Sequence, residues 1–356
     1  MTNNRIQRVI ENMQKMELEQ LLITAPASVF YLTGKWVHPG ERMLALYLRT
    51  DGTYALYANK LFALDDTIGM PLIAYDDTDD CVQLLAASMR AGKIGIDKTW
   101  PSHFTIRLME ARNDLRPVIG SSCIDDARIC KDEEELSLMR ESSRKNDQTT
   151  LQLIHAIQPG MTEKEVGSLY ESISESLGSS GPSFTPLICF GKNCAEPHHD
   201  TDKTVLKTGD SVILDVGLTW KSYCSDMTRT IFIGQPSDEQ KRVYDVVCAA
   251  NEAGRKAVRP GIPLKEIDRA ARKVIEDAGY GPHFIHRTGH GIGLEVHEFP
   301  DVSAASEVLA KPGMVFSIEP GIYLPGKFGV RVEDLVAVTP DGCETLNQAP
   351  HDLIIR

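Results

Sequence analysis

The segments KTGDSVILDVG (207–217) and KPGMVFSIEPG (311–321) align without a gap, 104 residues apart. Each enters through Lys-x-Gly, runs through an apolar stretch and reaches an acid two residues before a glycine. Upstream, AIQPG (156–160) recurs as AVRPG (257–261), 101 residues apart. Each copy leads into an amphipathic helical pattern that stops at a small-residue turn, Leu177-Gly178 and Ala278-Gly279. Either match alone could be chance, but two in the same order at nearly the same offset indicate an internal duplication. Each half reads helix, Pro-Gly turn, helix, loop, strand. The implied architecture is two pseudo-symmetric α/β halves facing each other, with the strands in a shared curved sheet and the helices outside.

The aligned acids, Asp215 and Glu319, each end an apolar strand-like run, VILD and VFSIE. A charge in that place is costly to bury unless it is paired or bound to a metal. The same costly choice at both equivalent positions predicts two acids converging on one site. Each half then offers a second acid beyond a turn, Asp226 in SYCSDMTRTIFIG and Glu333 in GVRVEDLVAV. Four carboxylates in a partly buried cluster repel one another and stay ionised together only with cations present. An oxygen-rich donor set favours hard or borderline divalent ions such as Mn²⁺, and one imidazole widens the choice to Co²⁺, Fe²⁺ or Zn²⁺.

The imidazole expected there is His290, in HRTGHGIGLEVHEFP, where flanking glycines let backbone approach and leave the ring accessible. A lone histidine is more often a hydrogen-bonded structural residue. Here His283, His286, His290 and His297 crowd one segment, and Pro197-His198-His199 stands in the turn-rich loop GKNCAEPHHD. That crowding favours a site.

Around this region, 356 residues are ample for two domains. Strand-like runs at 21–24, 43–50, 54–58, 71–75 and 93–97 alternate with helical patterns at 5–17, 79–91 and 102–112, which predicts an α/β domain. The polar, turn-rich segment GSSCIDDARICKDEEE (120–135) is expected to hold the boundary, giving domains 1–125 and 126–356. A net charge of −12 without a Lys/Arg cluster argues against a nucleic-acid partner. No apolar run is long enough to span a membrane, and the N-terminus lacks a signal-peptide core. The eight cysteines form no C-x-x-C pair, which suits reduced thiols and a cytoplasmic location.

ILDVG with Asp215, SDMTRT with Asp226, TGHGIGLEVHE with His290, SIEPGIY with Glu319 and VRVED with Glu333 together resemble the pita-bread-fold metallopeptidases of the proline dipeptidase and aminopeptidase P type. The resemblance covers about residues 130–356 and is a specific five-point signature, and the N-terminal region resembles their creatinase-like α/β domain. It implies two divalent metal ions held by Asp215, Asp226, His290, Glu319 and Glu333, with Asp226 and Glu333 bridging and Glu319 also moving a proton. By the same resemblance His198 meets the leaving group and His297 the substrate carbonyl. His286 lines the proline pocket, Arg331 is a substrate-binding residue that can hold carboxylates in place, and Tyr323 supports the site. The reaction implied is hydrolysis of the bond before proline in Xaa-Pro dipeptides, with aminopeptidase P action on Xaa-Pro-Xaa peptides, or a non-peptidase or binding role on the same fold, as alternatives. A homodimer is implied too. The loop GKWVHPGER (34–42) carries His38 as a candidate substrate contact, weighed equally against an ordinary surface loop.

Overall fold

The computed structural model describes residues 2–356 and divides into two compact units, one ending at Arg128 and one running from Ile129 to Arg356. In the first unit the five predicted strand runs all form. They lie in a six-stranded mixed sheet ordered Leu72–Tyr75, Tyr54–Asn59, Ala45–Arg49, Gln20–Ile23, Gly92–Ile96, Leu115–Ile119. Gln20–Ile23 pairs antiparallel with Ala45–Arg49 and parallel with Gly92–Ile96. The alternating apolar residues become a core of Leu22, Tyr47, Tyr57, Ile94 and Leu115 from strands, packed on Val82, Leu85, Phe104 and Leu108 from helices.

The segment at 120–135 is more ordered than its polarity predicts. Ser122–Arg128 is a helix that buries Cys123, Ile124 and Ala127 on one face. Asp132 then caps helix Glu133–Ala156 through a capping box with Glu135. The acidic run that reads as a turn is therefore the start of a helix, where carboxylates complement the exposed backbone N–H groups.

The second unit carries the duplication in its backbone. Glycines Gly160 and Gly261 both adopt positive φ, +95° and +83°. Gly209 and Gly313 do the same at +98° and +88°. The hydrogen bonds repeat as well. Gly160 N–H donates to Leu206 O and Gly261 N–H to Ala310 O (3.0 and 2.8 Å), while Glu163 N–H donates to Thr204 O and Leu264 N–H to Val308 O (3.1 and 2.9 Å). Each half packs two helices, Glu133–Ala156 with Glu163–Ser176 and Asp238–Ala257 with Leu264–Asp277, beside its strands.

The strands do not form the single shared sheet that the duplication implies. One half has a three-stranded sheet, Met227–Phe232, Ser211–Val216, Leu187–Phe190. The other has five strands in the order Glu298–Val302, Gly289–Gly291, Val315–Ile318, Asp334–Val338, Cys343–Thr345, and a separate ribbon pairs Gly321–Leu324 with Phe328–Arg331. The ladder breaks where the chain leaves the ribbon at Arg331 and enters the five-stranded sheet at Asp334. Side chains close that seam. Thr230 Oγ1 donates to Arg331 O (2.8 Å) and accepts Arg331 N–H (3.1 Å), and Glu333 N–H reaches Thr228 O (3.1 Å). Buried Arg229 spans it with hydrogen bonds to Glu333 O, Thr228 O, Ala349 O and Pro350 O and an ion pair to Asp334.

Candidate active site

The four acids and His290 meet at one cavity of about 530 Å³ within the second unit. Asp215 stands inside strand Ser211–Val216, and Asp226 immediately precedes Met227–Phe232. Glu319 directly follows Val315–Ile318, and Glu333 fills the seam before Asp334–Val338. The aligned pair, Asp215 and Glu319, thus opens into the same space.

His290 sits in strand Gly289–Gly291, only 4% exposed. Its Nδ1 lies 3.1 Å from Gly291 O, so the ring proton belongs on Nδ1 and the Nε2 lone pair faces the acids. Nε2 is 3.4 Å from Glu319 Oε1 and 3.7 Å from Asp226 Oδ2. Burial pushes the imidazole down to about 4, so it is neutral near pH 7 and available as a ligand. Ser317 Oγ accepts the His290 backbone N–H (3.0 Å) and donates to Glu319 Oε1 (3.1 Å), so one hydroxyl links the strand that carries the imidazole to the acid.

Asp226 and Glu333 are the most deeply placed acids, 4% and 2% exposed. Glu333 Oε2 accepts Thr228 Oγ1–H (2.8 Å), yet Glu333 Oε1 and Asp226 Oδ1 have no hydrogen-bond partner. An orphaned buried oxygen costs about 1–3 kcal/mol, and more when charged. Burial and then the neighbouring carboxylates push both groups well above the ordinary carboxylate range. Glu319 is raised too, by burial first. Ligand atoms of Asp226, His290 and Glu333 all lie within 4.8 Å of one another. The unpaired oxygens, the neutral imidazole and the mutual repulsion fit a divalent cation, which would supply the missing charge and partners.

Among the described residues, Arg331 is the one buried arginine that lines this cavity. Its Nη2 holds Asp215 Oδ2 at 2.7 Å, Nε donates to Thr228 Oγ1 (3.1 Å) and Nη1 to Tyr323 Oη (2.9 Å). Tyr323 Oη in turn lies 2.8 Å from His286 Nε2, whose Nδ1 is 2.7 Å from Arg287 O. With the His286 proton on Nδ1, Tyr323 donates to Nε2, and Asp215, Arg331, Tyr323 and His286 form one chain of hydrogen bonds. Burial holds His286 below its ordinary value. Arg331 is therefore spent on positioning Asp215 and Tyr323.

His297 is exposed, with its ring edge-on to His290 at 4.2 Å between centroids. Lost hydration, then His290 and Arg287, keep its imidazole below the ordinary value. His198 is exposed and lines both this cavity and a second one beside Lys192, Glu196 and Pro325. His38 belongs to the first unit, where it is exposed with its ring 5.9 Å from that of Trp36. Phe184, Leu187 and Val296 supply an apolar wall that sequence reading misses, because single apolar residues in SGPSF (180–184), at the start of strand Leu187–Phe190 and in GLEVHE carry no pattern to separate them from ordinary core. Thr228 and Ser317, which hydrogen-bond to four of the site residues, Glu333, Arg331, His290 and Glu319, lie inside the quoted runs SDMTRT and VFSIE, and only the folded structure singles them out.

A family profile described as metallopeptidase family M24 matches residues 137–340, and one described as creatinase/prolidase N-terminal domain matches residues 5–130. A dipeptidase from Pyrococcus horikoshii OT3 superposes with a TM-score of 0.94 at 36% identity, covering 99% of this chain and all of that one. A recombinant prolidase from Thermococcus sibiricus superposes at 0.96 with 33% identity, covering 100% of this chain and 99% of that one. An uncharacterized peptidase of Staphylococcus aureus is 35% identical over 350 residues, which is 96% of this chain and 98% of that protein.

Proposed function

Since this chain belongs to metallopeptidase family M24, we propose that it hydrolyses Xaa-Pro dipeptides at the bond before proline, using two divalent cations held by Asp215, Asp226, His290, Glu319 and Glu333. The observation that carries this reading is the meeting of those five groups in one cavity with two carboxylate oxygens left unpartnered. The prolidase and dipeptidase likenesses support the substrate class. Cations bound there supply Lewis acidity toward the scissile carbonyl and activate water near neutral pH. An oxygen-dominated donor set with one imidazole favours manganese.

The chain's own residues do the rest. Phe184, Leu187 and Val296 offer an apolar surface to the pyrrolidine ring, beside His286, which Tyr323 locks in one tautomer. Neutral His297 donates its N–H where charge develops on the carbonyl oxygen. A bond to proline is a tertiary amide, so the leaving nitrogen has no proton of its own and must receive one. His198, at the cavity wall, delivers it, and Glu319, raised by burial, passes a proton inward. A homodimer in the cytoplasm completes the reading.

The test is a metal-reconstituted assay of Ala-Pro against Ala-Pro-Ala. The expected result is proline release from the dipeptide at a kcat/KM at least ~10-fold above tripeptide cleavage. Equal or faster tripeptide turnover moves the enzyme to aminopeptidase P. No hydrolysis across a panel of Xaa-Pro substrates, with bound metal verified, removes the reading.

A further inference from the structure

Glu163 opens helix Glu163–Ser176 and is wholly buried, yet it is not among the residues lining the cavity. Its carboxylate gathers four donors from one loop. Oε1 accepts Phe190 N–H (2.8 Å) and Asn193 Nδ2 (3.0 Å). Oε2 accepts Asp202 N–H (2.9 Å) and lies 2.9 Å from His199 Nε2. Asn193 Nδ2 also donates to Thr204 Oγ1 (3.0 Å), so both amide protons are spent and the Nε2 proton of His199 points to Glu163. Ligand atoms of Glu163, His199 and Asp202 lie close enough together for a cation, but the carboxylate is already saturated by donors.

The duplication shows that this acid is not required by the frame. Its counterpart in the second half is Leu264, also wholly buried, opening helix Leu264–Asp277 with the same backbone hydrogen bond to the following loop. An apolar residue suffices to seat that helix. The first half instead keeps a buried charge, which is costly unless its bonds serve a purpose. All four of those bonds go to residues 190–202, the stretch that carries His198 into the cavity. On the loop's other flank, a Cβ at Gly329 would meet Cys194 O at 1.9 Å, so the loop is clamped from both sides.

We propose that Glu163, acting through His199, Asn193 and the Phe190 and Asp202 amides, is a positioning residue that fixes His198 against the cavity. This rests on the proton-delivering role given to His198 above. The test measures kcat and KM for Ala-Pro, with bound manganese quantified, in Glu163→Gln, His198→Ala and the double variant. Gln keeps an acceptor on one oxygen only and leaves His199 without its anion. The expected result is a kcat loss of about 10-fold for Glu163→Gln with KM and metal content unchanged, and about 100-fold for His198→Ala. In the double variant the Glu163→Gln loss should vanish, because nothing remains to be positioned. An equal Glu163→Gln loss in both backgrounds, or none in the first, overturns the proposal while leaving His198 its role. Full activity of His198→Ala overturns the role itself. If Glu163→Gln does not fold, His199→Phe replaces it, since three donors to the carboxylate survive there, and the same non-additivity is expected.

Discussion

Replacing Arg229 by Met should unfold the catalytic unit at much milder conditions, although Arg229 is not among the residues lining the cavity. Its side chain is 2% exposed and that of its partner Asp334 0%, with Arg229 Nη2 at 2.8 Å from Asp334 Oδ1. Burial alone would raise the Asp334 carboxyl, but Arg229, then His351, hold it below the usual range. Without the guanidinium that carboxylate keeps only His351 at 2.8 Å and Arg255 at 3.6 Å. Removing one member of a buried pair costs about 3–5 kcal/mol. The carbonyls of Glu333, Ala349 and Pro350 lose a donor as well, which favours the upper part of that range. In a unit of this size each kcal/mol moves Tm by about 2–4 °C, so a fall of about 6–20 °C is expected. Thermal and urea unfolding of both proteins measure it. Because Arg229 Nη1 holds Glu333 O at 2.7 Å, titration calorimetry should also show weaker Mn²⁺ binding. The double variant Arg229→Met, Asp334→Leu should recover part of the loss, since no charge is then stranded. A single variant within about 1 kcal/mol of wild type, the range of an exposed ion pair, or a double variant no better than the single, would refute the reasoning.

Asp226→Asn should change sign with metal. Burial and the charges of Asp215 and Glu319 raise the Asp226 carboxyl in the metal-free protein, so its favourable contribution is complete below the unfolded pKa and is lost as pH rises through the folded value. At pH 8 without metal the amide variant should therefore melt above wild type. With Mn²⁺ at about 100 times its Kd, wild type gains about 2.7 kcal/mol and the variant little; a variant less stable in both conditions contradicts the cluster's repulsion. Gly289→Ala places a Cβ 1.8 Å from Ser317 O, beside the hydroxyl that holds His290 and Glu319. It should cost about 1–3 kcal/mol in urea unfolding and weaken metal binding, and wild-type values for both would count against that packing. Burial pushes the Cys194 and Cys224 thiols up to about 12. Iodoacetamide at pH 8 should leave both unmodified in native protein and label them in guanidinium, as mass spectrometry of peptides would read.

The acids of the site were legible because each breaks a local rule. A carboxylate closing VILD or VFSIE has no reason to be there in a core strand, and the duplication pairs the two anomalies before any fold is known. His290 was legible by crowding and by its glycines, the first of which touches Ser317 O too closely for any side chain. Other features left no such trace. Helix Pro26–Thr33 buries Ala27, Val29, Tyr31 and Leu32 on all sides, so it lacks the amphipathic period that marks a surface helix. Strand Leu115–Ile119 contains Pro117 and lies at a sheet edge, the place where proline is tolerated and strand patterns weaken. The broken sheet was illegible because the bonds that close its seam join Thr228, Arg229 and Thr230 to residues about 100 positions away. Local patterning carries no record of such contacts.

The site's charge balance also bears on how many cations it takes. With all four acids ionised and His290 neutral, the only fixed positive charge set against them among the described lining residues is Arg331, since the other arginine, Arg287, is paired with Asp301. The cluster is then short by three charges. One divalent ion would leave it negative, and it would repel the electron-rich carbonyl oxygen that a hydrolytic reaction must draw in. Two would leave it weakly positive, which favours that oxygen and a deprotonated water alike. The duplication supplies the room for two, since each half brings its own pair of acids to the same cavity. The halves then part company in what supports those acids: Asp215 leans on a guanidinium from the other half, while Glu319 leans on its own strand's Ser317 and stands beside His290. Paired backbones deliver matching carboxylates, and the unmatched groups around them set the two acids apart: a guanidinium holds Asp215, whereas a hydroxyl and a neutral imidazole stand at Glu319, an asymmetry that suits a substrate with one carbonyl and one leaving nitrogen.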